Sequence, residues 1–148
     1  MNGPRQLTSV LERGAVDVVI VALGTNDLYF ARDPESALIG RSPVDAWRAL
    51  EGLIAVARST GVLVLVATIP PRYDDPRLAP DIAELNRLIT EHVPAGDVID
   101  FTTHFRRHLF LPDGLHLNAH GQGKRARRAA TVLLRIFRAC NPTARRPA

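Results

Sequence analysis

The chain has 148 residues, which suits one domain with a sizeable core, and its 46% apolar and 23% charged residues exclude wholesale disorder. No apolar run approaches the roughly 20 residues that cross a bilayer, and the opening MNGPRQLTSVLERG lacks a signal-peptide core. The single cysteine, Cys140, leaves no internal disulfide, makes a cysteine-rich metal site implausible, and is a poor nucleophile within an apolar helical pattern.

Residues 6–13 read as the end of a helix, with Gly14 just past it. Residues 16–23 form a short, nearly all-apolar run of the kind buried on both faces of a sheet, and a polar loop follows at Gly24-Thr25-Asn26-Asp27. Ser42 can cap the next helix, Pro43 fits its first position, Asp45 adds acidic charge to its first turn, and Gly61 stops it. Residues 62–68, VLVLVAT, are a second apolar strand, whose exit is held extended by Pro70, Pro71 and the Asp74-Asp75-Pro76 turn. An amphipathic helix over 81–93 carries Ile82, Leu85, Leu88 and Ile89 on one face. A short strand at 98–100, one or two helical turns within 102–109, and a final helix over 118–140 complete the order. Ala129, Val132, Leu133, Ile136 and Phe137 carry the face of that last helix.

Apolar strands alternating with helices call for an α/β architecture, a parallel sheet covered on both faces. We expect a single domain over 1–140 and a disordered basic tail at 141–148. In such sheets ligands bind beyond the carboxyl ends of the strands. That rule sets Gly24 to Asp27, the loop after Thr68 and the segment after Asp100 on one rim.

The net charge of +4 comes from arginine, Lys124 being the only lysine. Lys124, Arg125, Arg127 and Arg128, followed by Arg135, Arg138, Arg145 and Arg146, form the densest basic cluster. No aromatic residues interleave with them to stack on bases, so they read as a solvated helix face and no nucleic-acid partner is expected.

Two constellations can carry chemistry. Asn26, at the tip of a buried strand, can aim its amide at a developing oxyanion, with Gly24 letting a second backbone approach the rim closely and Asp27 bonding the loop in place. The alternative is an Asn and an Asp satisfying local backbone groups in a turn. Within Leu111-Pro112-Asp113-Gly114-Leu115-His116-Leu117-Asn118, Asp113 stands three residues before His116, and Gly114 allows a tight bend between them. That spacing can hold a carboxylate against one imidazole nitrogen and leave the other as a general base. The alternative is an Asx-turn leading into a helix capped by Asn118.

Together these blocks resemble the SGNH hydrolases, also called GDSL-type lipases or esterases. Gly24-Thr25-Asn26-Asp27 is similar to the family's Gly-x-Asn-Asp block and Asp113-Gly114-Leu115-His116 to its Asp-x-x-His block, in the expected order. The resemblance implies a three-layer α/β/α sandwich of flavodoxin-like type and hydrolysis of a small-molecule ester through a serine and an acyl-enzyme, without a cofactor. It further implies His116 as general base and acid, Asp113 as its orienter, and Asn26 as oxyanion donor. Gly3 is the candidate for a backbone oxyanion N–H.

The family's serine stands in a Gly-Asp-Ser motif ahead of the Gly-x-Asn-Asp block, and no Gly-Asp-Ser occurs here. Of the serines present, Ser9 and Ser59 fall in helical patterns, Ser42 reads as a cap and Ser36 sits in a loop. The nucleophile is therefore unassigned. The chain is expected to be N-terminally incomplete relative to the family, with any secretion signal upstream of Met1, and weakly active or inactive alone. In the family the strand at 16–23 pairs with the strand that carries the serine. Without that partner its apolar edge invites self-association.

Two other readings stand beside this one. Histidine pairs at 104/108 and 116/120 have the spacing of a shared metal site, but the second spans a helix start and the Glu of a zinc-protease helix is absent, so no metal is expected. A non-catalytic domain binding acyl or carbohydrate ligands also fits the missing serine. The loops at 29–41 and 70–80 should line the cleft, where Arg32, Arg41, Arg72 and Arg77 would tolerate anionic groups on the ligand, although solvent exposure explains these arginines equally well.

Overall fold

The structure is a computed structural model that describes residues 3–14, 16–31 and 40–140, with side chains from Gln6 onward. Arg32, Ser36 and the tail at 141–148 lie outside the described residues. Eight principal elements follow in order: α1 (Gly3–Glu12), β1 (Val18–Val21), α2 (Thr25–Phe30), α3 (Pro43–Ser59), β2 (Leu63–Ala67), α4 (Ala79–His92), β3 (Val98–Ile99) and α5 (Ala119–Cys140). Single 3₁₀ turns occupy Pro76–Leu78 and Arg107–Leu109.

The strands form one parallel sheet in the order β1-β2-β3, with Val18 opposite Leu63 and Val66 opposite Val98. Alternation along β2 splits the core into two layers. Val64 and Val66 face Leu50, Ile54, Leu85 and Ile89 of α3 and α4, with Leu11 of α1 completing that side. Leu65 and Ala67 face the opposite way, onto Ile99, Phe101, Phe105 and the Val132, Leu133 and Ile136 face of α5. Helices thus cover both sheet faces, giving an α/β/α sandwich.

The caps form as the sequence dictates. Ser42 Oγ accepts from Asp45 N at 3.2 Å and donates to Asp45 Oδ2 at 2.7 Å, with Pro43 as the first helical residue of α3. Asn118 Oδ1 accepts from Gly121 N at 3.0 Å to open α5, while its Nδ2 donates to the carbonyls of His108 and Phe110.

Four expectations need correction. The segment after β1 is not a loop, because Thr25–Phe30 winds into the short helix α2 as soon as Gly24 has turned the chain. The exit from β2 is not uniformly extended, since Asp75 caps a 3₁₀ turn by accepting from Arg77 N at 3.1 Å. The strand at 16–23 is shorter than expected and is not buried on both faces. Ile20 shares its face with Val18 and Leu65, but α5 packs over β2 and β3 and leaves Ile20 42% exposed. Finally, Phe137 is turned off the packed face of α5 and is 53% exposed, so Ala129, Val132, Leu133 and Ile136 carry that contact without it.

Candidate active site

The carboxyl ends of the strands open on one cleft of about 190 Å³. Its walls come from four segments: Ala22 and Thr25 after β1, Thr68 to Arg72 after β2, Phe101 after β3, and Leu115 to Leu117 with Gln122 and Arg125 from the start of α5. The rim rule for open parallel sheets is thus met by all three strands at once.

The exit from β2 is fixed by buried polar side chains. Asn86 of α4 accepts from Ile69 N at 2.7 Å and donates back to Ile69 O at 2.9 Å, so both backbone groups of Ile69 are satisfied inside the core. Thr68 donates its N–H to Ile99 O at 3.0 Å, and its hydroxyl accepts from Phe101 N at 2.7 Å, tying this exit to the end of β3.

A hairpin-like loop carries the histidine. Phe110 and Leu117 pair as an antiparallel bridge, Leu111 N donates to His116 O at 2.7 Å, and Gly114 N donates to Leu111 O at 3.0 Å. Gly114 has φ 75°, and a Cβ there would lie 2.7 Å from Asp74 N and 2.9 Å from Tyr73 C. Only glycine tolerates both the left-handed turn and this approach of two backbones. Tyr73 N closes the junction by donating to Gly114 O at 2.9 Å.

On this loop the two sequence readings of Asp113 coexist. Asp113 Oδ1 accepts from Leu115 N at 2.9 Å and His116 N at 3.0 Å, an Asx-turn. Its other oxygen, Oδ2, lies 2.8 Å from His116 Nδ1. The bond to the His116 ring, followed by those two backbone N–H groups, holds the Asp113 carboxyl down at about 2. No described residue bonds His116 Nε2, and the imidazole stands 70% exposed. The pair can therefore present a basic nitrogen to anything entering the cleft.

The Gly24 to Asp27 block reaches the same rim. Gly24 has φ 121°, and a Cβ there would lie 2.9 Å from Leu85 Cδ2 and 3.0 Å from Ile69 Cδ1. Its lack of a side chain admits two core side chains rather than the second backbone that the sequence suggested. Asn26 stands exposed in the first turn of α2, beside Thr25, which lines the cleft. Asp27 pairs with Arg41 Nε at 3.2 Å, and Arg41 N donates to Asp27 O at 2.8 Å. Gly3 is the first residue of α1, in no described contact with this cleft.

Other expected groups are distributed differently. Ser42 is committed to its cap, and Ser59 Oγ donates to Val56 O at 2.8 Å. His104, His108 and His120 share a shallow groove with Arg106, Lys124 and Arg127, whereas His116 faces the cleft. The 116/120 pair is thereby split, and among the described residues no three His, Cys, Asp or Glu side chains gather around a possible metal. Of the four arginines expected at the cleft, Arg72 lines it and Arg77 is drawn to Asp75 at 2.8 Å. Thr25 falls on the rim where the Gly24 to Asp27 block was expected, whereas sequence reasoning missed Asn86 and Gln122 altogether and took Arg125 only for part of a solvated face.

A family model described as the GDSL-like Lipase/Acylhydrolase family matches residues 2–124. Among solved structures, a carbohydrate esterase family 3 protein from Talaromyces cellulolyticus is similar in fold, with a TM-score of 0.73 at 18% identity. The match covers 93% of this chain and 67% of that one. No curated protein sequence matches this chain. Among the described residues no helix is long and apolar enough to cross a membrane.

Proposed function

Because the chain belongs to the GDSL-like lipase/acylhydrolase family, we propose that this cleft is the acid–base half of a serine-type ester hydrolase. The carrying observation is the 2.8 Å contact between Asp113 Oδ2 and His116 Nδ1, in a cleft that Thr25 of the Gly-x-Asn-Asp block also lines. Asp113 keeps the proton on Nδ1 and leaves Nε2 basic. Nε2 then takes the proton of a serine hydroxyl as its oxygen attacks the ester carbonyl, and returns that proton to the departing alkoxide. Water, deprotonated by the same nitrogen, releases the acid from the acyl-enzyme. Asn26 is the oxyanion donor of this reading, with Gly24 and Asp27 shaping the turn that presents it, and the Gly3 N–H enters as a second donor on the family resemblance alone. The substrate is a small-molecule ester, and no cofactor takes part.

The serine is the missing part. No Gly-Asp-Ser occurs in the sequence and both Ser42 and Ser59 are engaged elsewhere, so this reading assigns no nucleophile and holds that these 148 residues by themselves are weakly active or inactive. A short-chain p-nitrophenyl ester with hydroxylamine as surrogate nucleophile tests this. We expect almost no hydrolysis without the surrogate and, with it, a rate above that of hydroxylamine and ester without protein, an excess that His116→Ala removes. Strong hydrolysis by the chain alone, abolished by a fluorophosphonate that labels one of its serines, would overturn the expectation of weak activity and assign that serine as nucleophile. Equal acceleration in wild type and His116→Ala would sink the base assignment. It would favour the second reading, a non-catalytic acyl- or carbohydrate-binding domain, which the absent Gly-Asp-Ser also supports.

The outer edge of β1 belongs to the same proposal as a pairing surface for a second copy. Among the described residues no strand pairs with that edge. Ile20 and Leu23 beside it are 42% and 55% exposed, and a groove shared with Leu7 and Val10 of α1 continues the apolar surface. Like edges can meet about a two-fold axis, which closes the assembly as a dimer.

A further inference from the structure

Arg72 is the one buried cation among the described residues, with its side chain 4% exposed. Burying a guanidinium is costly unless its N–H groups find acceptors. Two of its nitrogens do. Nε donates to Asp74 Oδ1 at 3.0 Å, and Nη2 bonds Asp74 Oδ2. The Tyr29 ring covers one face of the group, 4.5 Å from Cζ to the ring centre. The third nitrogen, Nη1, is buried with no partner among the described residues. A side chain kept only to brace the loop would not need a second donor edge. An orphaned buried donor at the wall of a cleft points to an acceptor that arrives with the ligand.

The rest of the cleft favours a negatively charged acceptor. Arg125 also lines it, with its guanidinium 5.1 Å over the Phe101 ring and no carboxylate partner among the described residues. Gln122, one helical turn before Arg125, also lines the cleft. No Asp or Glu lines the cleft, and Asp74, Asp100 and Asp113 on the segments around it are paired with Arg72, Arg128 and His116. At about 190 Å³ the cleft admits a small group rather than a long acyl chain.

Resting on the hydrolase reading above, we infer that Arg72 Nη1 and Arg125 form an anion subsite, so that the favoured ester carries a free carboxylate. Arginine forks suit carboxylates because parallel N–H donors match two oxygens in one plane. In this role Arg72 and Arg125 bind and orient the ester, and the bond-breaking steps stay with His116 and the nucleophile.

The test compares two probes of similar length, monomethyl succinate and methyl butyrate, by NMR titration of the full chain at fixed ionic strength. Their p-nitrophenyl counterparts are compared in the hydroxylamine assay. We expect the succinate probe to bind roughly tenfold tighter, about the worth of one charge-assisted contact. That ratio should fall toward one in Arg125→Gln and in Arg72→Gln, and Arg72→Lys should keep only part of it. Arg125 is exposed, so Arg125→Gln decides the matter even where Arg72→Gln fails to fold. Equal binding of the two probes by wild type, or a preference surviving both substitutions, overturns the subsite. Absence of turnover with both esters, alongside selective succinate binding, would instead count against the hydrolase reading and leave the subsite standing.

Discussion

Asn86 closes both backbone groups of Ile69, accepting from its N–H at 2.7 Å and donating to its carbonyl at 2.9 Å within the core. The amide therefore acts as a strand substitute where β2 has run out of partners, and it holds the Thr68 to Arg72 wall of the cleft in place. Asn86→Leu leaves both groups buried and unmet, at about 1–3 kcal/mol each. We expect a loss of about 2–4 kcal/mol in urea unfolding, larger than a surface Asn substitution allows. A loss below about 0.5 kcal/mol would mean that water or a backbone shift satisfies Ile69.

Gly114→Ala tests the junction between the histidine loop and the loop after β2. A methyl group there meets the backbone at Tyr73 and Asp74 while the residue holds φ 75°. Positive φ alone costs about 1–2 kcal/mol for a residue with a Cβ, and the backbone contact cannot relax as a flexible side chain would. The variant should unfold earlier and lose the His116–Asp113 alignment, seen as loss of the Nδ1 proton coupling in NMR. Unchanged stability and an unchanged imidazole spectrum would show that the two loops move independently.

Much of this arrangement was legible in the residues. Continuous apolar runs marked all three strands, and Ser42-Pro43 and Asn118 marked their helix starts, because these signals are local. Asp113 and His116 were legible because three residues and a glycine bring them together without help from the rest of the chain. Helix α2 was not, since six residues are too few to display a 3.6-residue period. Asn86 and Arg125 were hidden for a different reason. Their partners, Ile69 and Phe101, lie on other elements and meet them only after the sheet has formed. Phe137 misled because helical spacing gives a face but not its width, and α5 buries a narrower stripe than its apolar residues suggest.

Asp113 sets a pH signature. Its carboxyl is held at about 2, chiefly by the His116 ring and then by the His116 and Leu115 N–H groups. An unfolded aspartate titrates near ~3.9. The folded value is the lower one, so the contribution is present above ~3.9 and is lost as pH falls through about 2. The carboxyl carbon shift of Asp113 should have a midpoint near the lower value, and His116→Ala should move it upward. A midpoint near ~4 in wild type would show that the bond to His116 does not form in solution.

The last prediction concerns the free edge of β1. Ile20 is 42% exposed on the sheet face that α5 leaves bare, so replacing it costs the folded monomer little. A lysine there adds a charge beside the apolar edge, a device by which natural edge strands refuse a second strand. Wild type should show concentration-dependent dimerisation in sedimentation velocity, and Ile20→Lys should remain monomeric with urea stability within about 0.5 kcal/mol of wild type. Glu51→Gln, at an exposed position of α3, raises the net charge by the same single unit, serves as the charge control and should leave the dimer intact. A wild type that stays monomeric at the highest soluble concentration, or a dimer that survives Ile20→Lys, would remove β1 as the pairing surface. Dissociation by both substitutions alike would point to net charge rather than to the strand edge.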